Sequence, residues 1–404
     1  MKKYKLTEET IIVNGRTLYR IEALRDFANV KKGNKGGFVE KENNLSQEDN
    51  CWVYHNAEVF GNAEVFGNAK VYGNAVVSGN AEVCGNAVVC DYAKVRNEAK
   101  VRDDVVVCRN ARVYGNARVY DNAIISGKAV VSDRAVVFGN AEVFGNAEIY
   151  GDAIVYDNAE IYGNARIYGD AFVYGDAQVC GDAFVYDNAE VFGKAVVRDN
   201  AEVYGSAEIS GDAQVCDEAK VYDNAQVYDN AEVLCYAEVY DNTEVYDNAK
   251  VYHNAVVCGY ARVRGYAEVC GNAKVYDEAK VLGKAIVFGN AEVYGIAEVC
   301  DNVRVYGHPK IYGNAEIIAK AEVCGDAEIA SNSDYIVFKN WWSSGRYFTW
   351  TKNNNMWKVG CFYGTSNELI EKAYKDSKLS GREYERVVKY VESILEVTML
   401  TNLK

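Results

Sequence analysis

From residue 51 to residue 329 the chain repeats a six-residue phrase 47 times without one insertion or deletion. Few folds accept such a pattern. The phrase is Gly/Asp, Asn/Asp, Ala, any residue, Val, then Tyr/Phe/Cys. The valine slot holds Val or Ile in all 47 copies, from Val53 to Ile329. The alanine slot holds Ala in 42, the exceptions being Cys51, Val105, Thr243, Val303 and Pro309. Ala-x-Val alternates apolar with variable, so Ala and Val face one side of a short strand. Gly or Asp followed by Asn or Asp is corner chemistry that tolerates positive φ. A four-residue strand and a two-residue corner cannot bury an apolar face alone. Three such sides close a triangular coil of 18 residues, and coils stack in register, as in solenoids. The expected fold is mainly β: a parallel solenoid of 15–16 coils, about 75 Å long at about 4.8 Å per coil.

The phrase resembles that of the hexapeptide-repeat family, whose fold is the left-handed parallel β-helix; the handedness is implied by the resemblance. The family's usual glycine follows the aliphatic residue directly, whereas here an aromatic or cysteine intervenes, as in Val71-Tyr72-Gly73. The flanking segments, "KKGNKGGFVEKENNLSQEDNCWVYHNA" and "WKVGCFYGT", are similar to a group of hexapeptide-repeat proteins of bacteriophages, prophages and gut bacteria, a resemblance that implies no activity.

The slot after the valine points outward, and on one side it reads Tyr150, Tyr168, Tyr186, Tyr204, Tyr222 and Tyr240, then Cys258, Tyr276, Tyr294 and Tyr312. Rings one coil apart would stack. Such a ladder either presents an aromatic surface to a partner, a second solenoid or a polysaccharide, or simply stiffens the coils. Nine of the twelve cysteines replace aromatics in this slot, and of these only Cys90 and Cys108 lie 18 residues apart. With no CxxC and no partnering histidine, they read as small hydrophobes in a reduced cytoplasm, with no metal centre expected.

The formal net charge is −14, and residues 51–330 alone carry 42 acidic against 23 basic residues. Nucleic acid and anionic membranes are therefore not expected partners. Imitation of a nucleic acid would make the chain an acidic decoy for a DNA-binding protein. The charge amounts to one per about 4 Å against about 1.7 Å for the duplex, so the decoy is kept only as a lesser alternative. Along each side the variable slot mixes signs, for instance Lys94, Arg112, Val130, Glu148 and Arg166, and would form weak ion pairs between coils. The basic start lacks a long apolar run, so neither a secretory signal nor a membrane span is expected.

Many hexapeptide-repeat relatives are acyltransferases that use coenzyme A or acyl carrier protein, a general-base histidine and loops leaving the coil; others bind zinc through three histidines. Here His55, His253 and His308 fall on separate coils and no loop leaves the phase. The corners lack the regular acidic set of a calcium site. No catalytic residue, cofactor or metal is assigned; an acyltransferase-like enzyme stands as one alternative and the acidic decoy of a phage or prophage as the other.

Residues 1–50 are expected to form an N-terminal cap, with a β-hairpin about Asn14-Gly15 and Leu45 already in the alanine slot. Residues 51–330 form the solenoid. Residues 331–404 change composition and hold four of the five tryptophans. They read as a meander with turns at 343–345 and 353–355, then two helices begun by the capping boxes Thr365/Glu368 and Ser380/Glu383. Val387, Val388, Val391, Ile394 and Leu395 form one helical face. Because recognition concentrates where the repeat stops, Trp341, Trp342, Arg346, Trp350 and Trp357 join the tyrosine ladder as the candidate binding surface, with Lys352 and Lys358 nearby. Most of these aromatics are also needed for the core of so small a module. The expected function is a non-enzymatic structural or interaction protein that spaces and displays this module to a protein partner, as a monomer or side-by-side homo-oligomer.

Overall fold

The computed structural model describes residues 1–401, in which the chain divides after Asp229 into two compact units: Met1–Asp229 and the described residues from Asn230 onward. In the first unit, strands Tyr4–Val13 and Arg16–Ala23 form an antiparallel hairpin. Asn14 and Gly15 at its tip take positive φ (49° and 76°), as a two-residue hairpin turn requires. The third strand, Lys35–Val39, pairs antiparallel with the hairpin and parallel with Glu58–Val59, so the cap leads directly into the first side of the solenoid.

The solenoid strands pair residues 18 apart in parallel register, as in Glu58↔Val76 and Val88↔Val106. The residues of the alanine and valine slots fill the interior and are buried throughout. Most solenoid strands are two residues long rather than four, the exceptions being Arg304–Gly307 and Glu322–Gly325 near the C-terminal end. The reason lies in the alanine, whose N–H often turns back to the carbonyl three residues earlier, as Ala75 does to Tyr72 (3.2 Å). That closes a β-turn about Gly73-Asn74 and withdraws the alanine from the ladder. Three N–H groups per hexad donate to the next coil: Glu58 to Ala75, Phe60 to Val77 and Asn62 to Gly79.

The corners carry two side-chain ladders. The first corner residue has positive φ, for example 59° at Asp121 and 69° at Gly139. Where it is Asp, its carboxylate accepts the N–H of the next coil's corner, as Asp121 does from Gly139 (3.2 Å) and Asp157 from Gly175 (3.3 Å). The second corner residue builds amide ladders. Asn122 donates to Asn140, Asn140 to Asn158, and Asn158 to Asp176, where the donors end. Between coils, the expected ion pairs form at the surface, as in Lys100–Glu82 (3.0 Å) and Arg166–Glu148 (3.4 Å).

The end of the first unit supplies donors. The ladder direction leaves the first coil's carbonyls without partners, and the cap meets them. Phe38 N–H reaches Ala57, the Asn44 amide reaches Gly61 and Ala63, and the buried Lys3 ammonium reaches Glu48 and Cys51. Burial lowers the pKa of Lys3 and raises that of the Cys51 thiol beside it.

The second unit continues the same repeat and ends with the opposite need, N–H groups without acceptors. Asn332 Oδ1 takes the N–H of Glu316, Tyr335 Oη that of Ile318, and Thr349 Oγ1 that of Glu322. Beyond it, strands Tyr335–Lys339, Tyr347–Thr351, Met356–Val359 and Phe362–Gly364 form an antiparallel meander. Helices α1 (Ser366–Asp376) and α2 (Lys378–Thr401) pack on it around Phe348, Trp350, Trp357, Leu369, Tyr384 and Val388. The Thr365/Glu368 capping box is present. The Ser380/Glu383 box is not a cap: α2 already runs at Lys378, and Ser377 Oγ accepts the Ser380 N–H (3.0 Å). Among the described residues no helix is long and apolar enough to cross a membrane.

Candidate functional site

In the first unit, Tyr150, Tyr168, Tyr186, Tyr204 and Tyr222 stack with ring centroids 4.8–4.9 Å apart and planes within 7°. A parallel ladder runs through Tyr120, Phe138, Tyr156, Tyr174 and Phe192. Tyr240 holds the same slot in the second unit, where Tyr276, Tyr294 and Tyr312 stack likewise. Each interior ring face is covered by the next ring, so a ladder offers edges and hydroxyls rather than a flat face. Burial and the neighbouring Glu190 push Tyr174 up to about 12, and burial with Glu292 does the same to Tyr276.

The histidines stay apart. His55 and His253 are positive-φ corner residues (53° and 62°), and His308 meets Asn290 (3.2 Å) in an amide ladder. Cys90, Asp91 and Cys108 come closest to a metal-binding set among the described residues, with ligand atoms within 4.8 Å of one another. However, the Asp91 carboxylate already accepts the Arg109 N–H (3.0 Å), and burial pushes the Cys90 thiol up to about 11. Several corner carboxylates elsewhere, such as Asp133 and Asp157, are held by backbone N–H in the same way.

Trp350 and Trp357 are not surface residues. They are 2% and 0% exposed, and their indole N–H groups are bonded to Asn355 and Ser366. The meander has two faces, and these rings lie on the one that the helices cover. Trp342 packs edge-on against Tyr384 (4.9 Å), its N–H buried without an acceptor among the described residues, whereas Trp341 is 74% exposed.

Arg346 leads to a different site. In the second unit a groove of about 680 Å³ opens between the last coils and the meander, and four cations line it: Arg304, Lys320, Arg346 and Lys358. The only carboxylate lining it among the described residues is Glu322, 3.8 Å from Lys358 Nζ. Three of the cations sit over aromatic rings of the same groove. Arg304 covers Phe288 (5.6 Å), Lys320 covers Tyr347 (5.7 Å) and Lys358 covers Tyr306 (5.8 Å). Burial lowers the pKa of Lys358, but its hydrogen bond to Tyr306 and the charge of Glu322 outweigh this and hold it above the ordinary lysine value. Arg346 has no ion-pair partner among the described residues. It and Tyr347 also border a smaller cavity of about 250 Å³ that includes Asp376. Lys352 lies outside the groove, 3.9 Å from Asp334. The first unit has its own basic concavity, about 420 Å³, lined by Lys94, Arg96, Asn97, Arg112 and Tyr114.

Sequence reasoning reached Arg346 and Lys358 but not Arg304, Lys320, Tyr306 and Tyr347. Arg304 occupies the variable slot, where both signs occur throughout, so nothing local marks it. Lys320 stands in the usual Asn/Asp slot, a substitution also seen at Lys128, Lys194 and Lys284.

Residues 111–127, 117–133, 159–175 and 165–181 each match the YdcK Beta solenoid repeat family. The repeats here are similar to those of that solenoid. A protein of Escherichia coli (strain K12) named "Uncharacterized acetyltransferase YdcK" is 37% identical over 62 residues, 13% of this chain. The match spans 19% of that relative's length. Together with the hydrogen-bonded coils, these likenesses support a β-solenoid of the hexapeptide-repeat kind.

Proposed function

We propose that this chain is a non-enzymatic interaction protein of the cytoplasm, in which the solenoid acts as a stiff spacer and the C-terminal module recognises a protein partner. The observation that carries this is the cationic groove beside the module. In a chain of net charge −14, four cations gather there against one carboxylate, on a frame that hydrogen bonds and stacked rings hold rigid. Twelve cysteines without a disulfide fit a reducing compartment. The acyltransferase alternative draws its support from the name of the Escherichia coli relative, whose match to this chain is short.

Affinity capture from a bacterial lysate with the full-length protein, beside incubation with acetyl-coenzyme A and candidate acceptors, separates the two. We expect a protein partner retained in stoichiometric amount and no release of free coenzyme A thiol above the blank. Catalytic thiol release would replace the display function with acyl transfer.

A further inference from the structure

We infer that the groove lined by Arg304, Lys320, Arg346 and Lys358 is a receptor for clustered phosphoryl groups. This rests on the display function proposed above and specifies what the module recognises.

The aromatic residues of the groove would ordinarily suggest a stacking ligand such as a sugar or a planar ring. The geometry argues otherwise. Phe288 stacks on Tyr306 (4.9 Å) and carries Arg304 nearby, Tyr306 carries Lys358, and Tyr347 has Lys320 at 5.7 Å and Lys339 at 5.9 Å. The rings therefore hold cations in place, and what the groove offers a ligand is positive charge. Such cation–ring contacts restrict long side chains that otherwise lose rotamer freedom on binding.

Glu322 neutralises one of the four charges at most, which leaves about three for a ligand in about 680 Å³, a small-molecule-sized site. A single carboxylate matches one cation. A phosphoryl ester carries about −1.5 to −2 charges and three acceptor oxygens. Two neighbouring phosphoryl groups would thus meet all three uncompensated cations, with the Arg304 and Arg346 guanidinium groups supplying forked donors. The framework is built before the ligand arrives. Arg304 stands on a strand paired residue for residue with Glu322–Gly325, and Thr349 Oγ1 fixes the Glu322 N–H at 2.9 Å. Two sources share this chemistry: adjacent phosphorylated side chains of a protein partner, or a free polyphosphate.

The test is calorimetric titration of the full-length protein with sodium tripolyphosphate and with a peptide bearing two adjacent phosphoserines, using the unphosphorylated peptide as reference. Both phosphorylated probes, or one of them, should bind and the reference should not; which one binds identifies the source. The double variant Lys320→Gln/Arg346→Gln should weaken binding about tenfold or more, since each residue removes a charge-assisted contact. Lys352→Gln, outside the groove, should change it by less than about twofold. Both groove positions are exposed, and unchanged thermal unfolding of the variant would show that binding, not folding, was lost. Failure of both probes to bind would overturn the inference, as would a greater loss from Arg112→Gln in the first unit's basic concavity. A captured protein partner that the double variant still retains would overturn the phosphoryl receptor and leave the display function standing. Phosphoryl binding without any retained partner would do the reverse.

Discussion

At the scale of single residues, the corners decide what the coil tolerates. Gly85 has φ +69°, and a Cβ there would lie 2.5 Å from the Asp103 nitrogen of the next coil. Gly15 has φ +76° and open space within 4 Å. Both substitutions by alanine meet the left-handed penalty of about 1 kcal/mol, but only the first must also push coils apart. Gly85→Ala should therefore lower stability by about 2–3 kcal/mol and Gly15→Ala by about 1, read as a difference in denaturant midpoints. Equal shifts would mean that close stacking of corners contributes nothing. Asp at the same positive-φ slot has a separate use, because its carboxylate binds the N–H that the ladder leaves over, as between Asp133 and Gly151.

At the scale of elements, the helix boundary in the C-terminal module is the instructive case. Ser380 has the right spacing to Glu383 for a capping box, yet it lies inside α2, and Ser377 supplies the oxygen that caps it. Ser377→Ala should destabilise the module by about 1 kcal/mol, while Ser380→Ala should stay within about 0.5 kcal/mol. Tryptophan fluorescence during thermal unfolding reports this, since four of the five indoles are in the module. A larger effect at Ser380 would put the cap where spacing alone places it. The two caps of the solenoid obey the same hydrogen-bond accounting with opposite chemistry: the N-terminal segment brings donors such as Asn44 and Lys3, and the C-terminal segment brings acceptors such as Thr349 and Asn332. Neither segment can serve at the other end.

At the scale of the whole molecule, the tyrosine ladders couple stability to alkaline pH. Tyr174 and Tyr276 are raised from 10.0 to about 12, chiefly by burial and then by nearby glutamates. Below pH 10 these phenols are protonated in folded and unfolded chain alike, and their contribution is fully present. As pH rises from about 10 toward 12 the unfolded chain ionises first, so stability falls across that window. Ultraviolet titration should show part of the phenolate signal delayed beyond pH 10, with loss of the β signal in circular dichroism accompanying it. Complete tyrosine ionisation near pH 10 without loss of structure would contradict the stacked ladders.

The repeat was legible because it is enforced locally and everywhere alike. Each hexad carries its own apolar pair, corner and outward ring, and any slip would expose valines such as Val83 and Val101, so spacing alone determined register, coil size and the buried set. The hairpin at Asn14-Gly15 and the Thr365 cap were legible for the same reason, their partners being a few residues away. What the tertiary structure decided depends on residues far apart in sequence. It sent Trp350 and Trp357 inward, left Trp341 outside, and joined Arg304 and Lys320 of the last coils to Arg346 and Lys358 of the meander. Both faces of a short amphipathic strand can carry aromatics, and only the docking of α1 and α2 selects which is covered. The groove likewise exists only where a strand of the solenoid meets a strand of the module, because cations separated by tens of residues become one charge cluster only when packing brings their elements together.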